Sequence, residues 1–193
     1  MPAVKYLPVS WNKYHNLAQS LAAKIFASNI KPDEIVAIAR GGLTLGHLLS
    51  DLLRIPVSII TIQSYTDIQK QGELKITGKL QSPIKDKCIL VVDDVADSGK
   101  TLVRAKKYLS RFRPSAMVTA TLFYKPRSIV KPDFIAAATK KWILFPYEPA
   151  EMTLLISQNL AKEGKSKTEI QIVLKKLKFT DNQIAFVWKY HLK

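Results

Sequence analysis

Three carboxylates and a hydroxyl-rich turn come directly after an apolar run in residues 89–102, ILVVDDVADSGKTL. Asp93 and Asp94 are adjacent, and Asp97 follows three residues later, next to Ser-Gly-Lys-Thr. Carboxylates accept hydrogen bonds from sugar hydroxyls and coordinate hard cations such as Mg²⁺. The N–H groups of a strand-to-helix turn, with nearby hydroxyl donors, favour a phosphate group. The pattern therefore predicts a site for a phosphorylated ribose and a divalent cation.

Two other interpretations apply to the same turn. A nucleoside triphosphatase loop needs Gly-x-x-x-x-Gly-Lys-Ser/Thr, of which Gly99-Lys100-Thr101 supplies only the end. The first glycine would fall at position 94, which is Asp94, so the loop that wraps two phosphates is absent. A helix that begins with solvated acids is the second interpretation, because acids cluster at helix N-termini. The sequence disfavours the first interpretation and leaves the second open.

Segments of two periodicities alternate around this turn. Short β-branched runs predict buried strands, and apolar residues at helical spacing predict helices between them. The predicted strands are residues 34–39, 55–63, 87–94, 115–124 and 132–138, with strand character at 74–76, and the predicted helices are 10–29, 43–53 and 99–112. Such alternation predicts an α/β fold with a mostly parallel twisted sheet and helices on both faces. Ligands of such sheets bind at the carboxyl ends of the strands, where the acid-rich turn falls.

The composition is that of a chain with an apolar core. Of the 193 residues, 47% are hydrophobic and one is a cysteine, Cys88. A single cysteine excludes an internal disulfide framework and predicts a reducing, cytoplasmic setting. The N-terminus shows no apolar stretch of signal-peptide length, and no apolar run of about 18 residues predicts a membrane span.

The net charge is +15. Residues 1–150 have 22 basic and 11 acidic side chains, and residues 151–193 have 8 and 4, so the excess is spread along the chain. Two interpretations remain open. The charge belongs either to a solvated basic surface or to a site for a polyanion, such as nucleic acid or a phosphorylated small molecule.

VVDDVADSGKT resembles the phosphoribosyl pyrophosphate signature of type I phosphoribosyltransferases. VSW, IARGGL, SY…ELK, FYKPRS and KWILFPYEP follow the order of the same family. The resemblance extends over residues 10–150 and is closest to the xanthine-guanine, 6-oxopurine branch and its small archaeal relatives. It implies the type I phosphoribosyltransferase fold with Mg²⁺ as cofactor. It also implies transfer of a 5-phosphoribosyl group from phosphoribosyl pyrophosphate to hypoxanthine, guanine or xanthine in purine salvage.

The resemblance implies roles for the acid-rich turn. Asp93 and Asp94 would bind the ribose hydroxyls directly or through Mg²⁺, and Asp97 would act as general base near the purine. The 5-phosphate would be held by Ala96, Asp97, Ser98, Gly99, Lys100 and Thr101. Lys100 stands where the bacterial branch often has a small residue, so its ammonium either supplements the phosphate site or points to solvent.

Arg40, Gly41 and Gly42 resemble the loop that binds the leaving pyrophosphate. Two glycines would let backbone N–H groups approach the phosphates, and Arg40 would add charge-assisted hydrogen bonds. A tight strand-to-helix turn alone would also explain the glycines, but it would not explain the arginine.

A flexible hood loop is expected at about residues 64–82, with Ser64 and Tyr65 at its tip. It would close over the reacting centre and exclude water, which would otherwise hydrolyse the activated ribose. The bacterial branch tends to have an arginine before ELK, where this chain has Gly72. This chain therefore has no arginine at that position for a contact to pyrophosphate, and Lys70 is a candidate substitute.

The last part of the resemblance implies which residues would bind the purine base. Lys125 would donate to the 6-oxo oxygen, which favours keto purines because an ammonium has donors only. Trp142 would stack on the purine, and the backbone of Ile143 would contact the ring edge. Trp142 could instead be an ordinary core residue. Glu148 would lie near the metal or the ring edge, as a third candidate metal ligand.

The chain continues past the resemblance. We expect a phosphoribosyltransferase domain at residues 1–156 and an extension of two or three short helices at 157–193. Two sequences in the extension resemble capping boxes: Ser166 with Glu169, and Thr180 with Gln183.

Two alternatives to an enzyme remain. One is a regulator with the same fold that binds nucleic acid through its basic surface, which the base-side residues Lys125 and Trp142 argue against. The other is an assembly protein driven by the amphipathic tail. As partners we expect phosphoribosyl pyrophosphate, a purine base and further copies of the chain in a homodimer or homotetramer, with no membrane and no nucleic acid. Which purine is preferred stays open.

Overall fold

A computed structural model describes residues 5–64 and 74–192, with the backbone alone for Ser64. Two compact units are formed. The central unit lies within residues 15–140, and the terminal unit combines described residues of 1–14 and 141–193. The strands are β1 Tyr6–Pro8, β2 Glu34–Ala39, β3 Val57–Ser64, β4 Leu74–Gly78, β5 Cys88–Ala96, β6 Ala116–Tyr124, β7 Phe134–Ala138 and β8 Trp142–Leu144. The α-helices are α1 Trp11–Phe26, α2 Gly42–Leu53, α3 Lys100–Leu109, α4 Pro149–Lys162, α5 Lys167–Lys176 and α6 Asp181–Tyr190.

Six strands of the central unit form one sheet in the order β4-β3-β2-β5-β6-β7. Each neighbouring pair is parallel except β3 with β4, which is antiparallel. Parallel strands covered by helices carry apolar side chains on both faces, which explains why EIVAIA and ILVV do not alternate with polar residues. The predicted mostly parallel sheet is confirmed.

Helices α2 and α3 cover opposite faces of this sheet. In β2, Ala37 faces α2, since a Cβ on Gly46 of that helix would lie 2.6 Å from the Ala37 Cβ. Val36 and Ile38 point the other way and join a buried cluster with α3, to which that helix contributes Leu102, Ala105, Tyr108 and Leu109. Burying each large aliphatic side chain contributes about 1.5–3 kcal/mol. Helices therefore lie on both faces, as predicted.

Strand β5 runs two residues further than the sequence predicts. Its pairing with β6 continues until Ala96 lies opposite Tyr124. Asp93 and Asp94 therefore lie inside the strand instead of at its end. Because the sheet ladder fixes the backbone of both residues, the direction of each carboxylate is set by the pleat of the strand.

The terminal unit contains two strands that the sequence did not indicate. β1 and β8 pair in parallel, with Tyr6 opposite Trp142. Strands of three residues are too short to show a period, so no sequence pattern announces them. Helix α4 begins at Pro149, a residue type favoured in the first helical turn. The expected boundary between residues 156 and 157 consequently falls within this helix.

Helices α4, α5 and α6 share an apolar cluster with β8. Its buried members are Leu144, Met152, Ile156, Ile170, Leu174, Phe179 and Ile184. Both predicted capping boxes are confirmed: at α5 and at α6, the N-cap hydroxyl and the side chain three residues later bond reciprocally to the backbone. Within residues 5–64 and 74–192, no helix combines the length and apolar character needed to cross a bilayer.

Candidate active site

The Arg-Gly-Gly turn after β2 approaches the end of β5 at very close range. A Cβ on Gly41 would overlap the carboxylate of Asp94, and a Cβ on Gly42 would lie 2.5 Å from the carbonyl oxygen of Val92. Gly42 is therefore required by space, because its side chain would meet the backbone of β5, whereas a side chain on Gly41 would displace the Asp94 carboxylate. Arg40 is exposed, and the peptide bond between Ala39 and Arg40 is cis. The predicted pyrophosphate loop and the predicted ribose acids thus lie side by side.

The acid pair is strongly asymmetric. Asp93 is buried and Asp94 is half-buried, and the Asp94 N–H donates to Asp93 Oδ1 at 3.0 Å. Burial, and then the neighbouring negative charge of Asp94, raise the pKa of Asp93 well above its usual value. Two carboxylates in such a place repel each other, so a cation or several hydroxyl donors would stabilise the pair.

The turn after β5 has the geometry of an anion site. Gly99 adopts φ 79° as the N-cap of α3, and having no side chain it cannot cap the first N–H groups of that helix. The Ser98 carbonyl accepts from the Ile129 N–H at 3.0 Å, which ties the turn to the loop after β6. Ser98 and Lys100 are exposed and Thr101 is half-buried. Hydroxyl and backbone donors therefore lie together at the positive end of the helix dipole.

Asp97 is held between two cations. Lys125 Nζ lies 3.1 Å from Asp97 Oδ2, and Arg127 approaches Asp97 Oδ1 with Nε at 2.6 Å and Nη2 at 2.5 Å. Lys125 is 7% exposed, whereas the side chains of Asp97 and Arg127 are 38% and 67% exposed. The three charges form a chain from a buried ammonium to an exposed guanidinium. The carboxylate of Asp97 is consequently fixed in one orientation.

Sequence reasoning missed Arg127. Its position in FYKPRS was part of the resemblance, but no pattern assigned it a partner. The contact arises because Lys125 N–H donates to the Ala96 carbonyl at 3.0 Å and so brings the two loops together. A guanidinium two residues after a lysine at a strand end is the signal that could have suggested a second cation at this edge.

Trp142, Ile143 and Glu148 belong to the terminal unit. Trp142 lies on β8, where its backbone N–H donates to the Lys5 carbonyl at 2.9 Å. It is 45% exposed, so it is not a core residue. Ile143 is buried, and Glu148 is the half-buried N-cap of α4. Of the predicted hood, Ser64 ends β3 and residues 74–78 form β4. Tyr65, Lys70 and Gly72 lie outside the described residues.

The donor set at β5 suits Mg²⁺ better than a metal that needs a complete protein cage. Among the residues that the structure describes, no three His, Cys, Asp or Glu side chains group around a possible ion. Mg²⁺ is commonly bound through one or two carboxylates and completes its shell with water and substrate phosphates. Asp93 and Asp94 provide such a pair of carboxylates.

Fold and site together define an α/β protein whose candidate site lies at the carboxyl edge of a mostly parallel sheet, where such folds bind ligands. The model of the phosphoribosyl transferase domain family matches residues 10–153. The chain therefore belongs to the phosphoribosyltransferase family, and it is an enzyme of the type I fold.

Solved structures show which phosphoribosyltransferases this chain is similar to. A purine phosphoribosyltransferase from Pyrococcus horikoshii is 34% identical over 74% of this chain and 94% of its own, with a TM-score of 0.68. The xanthine-guanine-hypoxanthine phosphoribosyltransferase of Helicobacter pylori is 26% identical over 77% and 97%, with a TM-score of 0.66. A hypoxanthine-guanine phosphoribosyltransferase from Bacillus anthracis, 23% identical over 70% and 81% with a TM-score of 0.59, shows the shared fold. The chain is thus homologous to the hypoxanthine and xanthine-guanine enzymes of purine salvage, and a nucleic-acid-binding regulator is not favoured.

Proposed function

We propose that this chain transfers the 5-phosphoribosyl group of phosphoribosyl pyrophosphate to hypoxanthine, guanine or xanthine. The products are the nucleoside monophosphate and pyrophosphate. The observation that carries the proposal is the close approach of the Gly41–Gly42 turn to the Asp93–Asp94 pair. Ribose hydroxyls and a leaving pyrophosphate are adjacent in this substrate, so their binding groups must be adjacent too. The archaeal purine phosphoribosyltransferase at 34% identity supports the same reaction class.

The central unit would hold the sugar and its phosphates. Backbone N–H groups of Gly41 and Gly42, with Arg40, would bind the leaving pyrophosphate. Asp93 and Asp94 would accept hydrogen bonds from the ribose hydroxyls. The 5-phosphate would lie on the backbone and hydroxyl donors of Ala96, Asp97, Ser98, Gly99, Lys100 and Thr101. Mg²⁺, when bound by Asp93 and Asp94 and by the substrate, would neutralise charge on the pyrophosphate.

Asp97 would receive the proton that the purine loses. A purine ring nitrogen attacks the anomeric carbon as the bond to the pyrophosphate oxygen breaks, and positive charge develops on the ribose. A carboxylate has about four lone-pair sites. Two nitrogens of Arg127 contact Oδ1, and the ammonium of Lys125 donates one hydrogen bond to Oδ2. Oδ2 can therefore accept from one more donor. Oδ2 is therefore the atom on which the proton would arrive.

Lys125 would select a keto purine. An ammonium carries three donors, so Lys125 can bond Asp97 and donate to a 6-oxo oxygen at once. The exposed indole of Trp142 would provide a stacking surface, the Ile143 backbone would contact the ring edge, and Glu148 would assist at the metal or ring. A hood at residues 64–82, with Ser64 and Tyr65, would exclude water during the reaction.

The assay that tests the proposal supplies phosphoribosyl pyrophosphate and Mg²⁺ with hypoxanthine, guanine, xanthine or adenine in turn. Chromatography should detect a nucleoside monophosphate with at least one 6-oxopurine and little with adenine, and chelation of the metal should stop its formation. If no purine gives a nucleotide at saturating substrate and metal, the proposed reaction is wrong.

We also propose a homodimer or homotetramer in the cytoplasm, with residues 1–156 as the transferase domain and 157–193 as an extension. Oligomers are common among soluble proteins, and the single Cys88 suits a reducing compartment. Light scattering of the purified chain tests the assembly: a mass near 21.7 kDa would contradict it.

A further inference from the structure

An open groove of about 630 Å³ lies in the terminal unit between α4, the start of α5 and the end of α6. Lys162, Lys165 and Lys167 line it together with Trp188. Its volume is within the range of about 300–1,000 Å³ that small-molecule sites occupy. None of these residues belongs to the acid pair, the phosphate turn or the purine-binding set, so the proposed transferase reaction gives the groove no role.

The groove concentrates positive charge. None of the described residues that line it is acidic. Lys165 pairs with Glu169 at 3.2 Å, whereas Lys162 and Lys167 make no ion pair with any described residue. Like charges that line one groove repel each other, and an anion bound among them would offset that repulsion.

The aromatic wall of the groove is fixed in place. Trp188 Nε1 donates to the hydroxyl of Ser157 at 3.2 Å, and Ser157 is only 2% exposed. Lys167 Nζ lies 5.0 Å from the centroid of the Trp188 ring, so an ammonium covers one face of the indole. A planar base can take the place of this ammonium on the ring, and the freed lysine can then bind a phosphate.

We propose that this groove binds a nucleotide, with its phosphates on Lys162, Lys165 and Lys167 and its base against Trp188. Lysines beside an indole match both halves of such a ligand: ammonium groups bind phosphate oxygens, and the indole stacks on the base. The nucleotide binds in addition to whatever the acid pair of β5 takes.

The test titrates the full-length protein with ATP by calorimetry and compares two double variants. Lys162→Gln with Lys167→Gln removes two charges that line the groove. Lys176→Gln with Lys189→Gln removes two charges from exposed lysines of the same helical region that do not line it. The groove variant should bind ATP at least about tenfold more weakly at one class of sites, since each lost charge-assisted contact is worth severalfold in affinity. The control variant should bind as the parent protein does.

A second arm separates the two halves of the ligand. Inorganic triphosphate should bind more weakly than ATP. Trp188→Leu should weaken the binding of ATP and leave the binding of triphosphate unchanged. Equal ATP binding by the groove and control variants would overturn the proposal. So would equal affinity for triphosphate and ATP, or tighter binding of a short RNA oligonucleotide that the groove variant loses. Because calorimetry needs no turnover, these results are independent of whether the proposed transferase reaction is correct.

Discussion

Within β5 the chain buries one carboxylate beside another, whereas at the starts of α5 and α6 it places capping residues that stabilise the helix ends. Asp93 has a raised pKa because it is buried next to Asp94. Glu169 instead has its pKa lowered to about 2, because the Ser166 backbone and hydroxyl and Lys165 all favour its charged form. Carboxylates thus lie in a destabilising environment in one region and a stabilising one in the other.

This contrast separates residues held for chemistry from residues held for folding. A buried acid pair costs stability and persists only if the surrounding structure supports it, which is typical of functional sites. Capping boxes and an apolar cluster lower the free energy of the fold directly. Substitutions at the β5 edge should therefore change activity more than stability, and substitutions in the C-terminal helices should do the reverse.

The largest effect is expected at Asp97. Asp97→Asn removes the proton acceptor, and loss of such a group commonly lowers turnover by about 10²–10⁴-fold. Asp94→Asn should instead raise the KM for phosphoribosyl pyrophosphate and the Mg²⁺ requirement. Steady-state kinetics at several substrate and metal concentrations separate the two patterns.

Asp86→Asn is the matched control for these changes. Asp86 is an exposed acid of the same unit with φ 60°, a conformation that asparagine tolerates. Its kinetics and melting temperature should stay unchanged. If Asp97→Asn mainly weakens substrate binding and Asp94→Asn mainly lowers turnover, the two roles have been assigned the wrong way round.

The next effect belongs to the C-terminal helices. Leu174 is fully buried in their apolar cluster, so Leu174→Ala should lower the free energy of unfolding by about 2–5 kcal/mol. A chain ending after Ser157 would cut α4 in its middle, which makes the point substitution the sharper test. Thermal or urea unfolding measures the loss, and turnover per folded molecule should be unaffected.

Ile172→Ala is the control on the same helix, because Ile172 is 50% exposed and its loss should cost little. Equal destabilisation by both substitutions would mean that α5 does not owe its stability to the cluster. Loss of turnover in correctly folded Leu174→Ala would show that the helices serve the reaction as well as the fold.

A smaller effect tests the chain of charges at Asp97. Lys125→Ala should weaken binding of 6-oxopurines by about 1–3 kcal/mol, because their carbonyl oxygen loses its donor, while adenine binding changes little. Arg127→Ala removes the other cation on Asp97 and should lower turnover without changing the preference among purines. Competition binding with hypoxanthine and adenine measures the purine preference of each variant. If Lys125→Ala weakens the binding of hypoxanthine and of adenine equally, Lys125 is a structural residue.

The sequence predicted some of these features well and could not predict others. The bounds of β2 and the two capping boxes depend on local patterns of β-branched residues and side-chain spacing, and they are confirmed. The Arg127–Asp97 pair, the Gly41–Asp94 approach and the β1–β8 pairing join residues far apart in the chain. Such contacts are set by tertiary packing, to which no local period corresponds.

The smallest effect on the melting temperature is expected from substitutions in the capping boxes of α5 and α6. The backbone N–H and hydroxyl of Ser166, with Lys165, depress the pKa of Glu169 from 4.5 to about 2. A depressed folded-state pKa contributes stability above the unfolded value, and that contribution is lost as pH falls from about 4.5 toward 2. Glu169→Gln should therefore lower the melting temperature slightly at pH 7, and the difference from the parent protein should shrink as the solution is acidified.

The box of α6 provides the matched control, because its third residue, Gln183, cannot titrate in this range. Thr180→Ala should lower the melting temperature by a similar amount at pH 7 and at pH 3, since a neutral cap is lost at either pH. Gln183→Glu should introduce into α6 the acid sensitivity that Glu169 gives to α5. If the difference between the parent protein and Glu169→Gln does not depend on pH, the charge of Glu169 contributes nothing. The box of α5 would then act through geometry alone, as the box of α6 does.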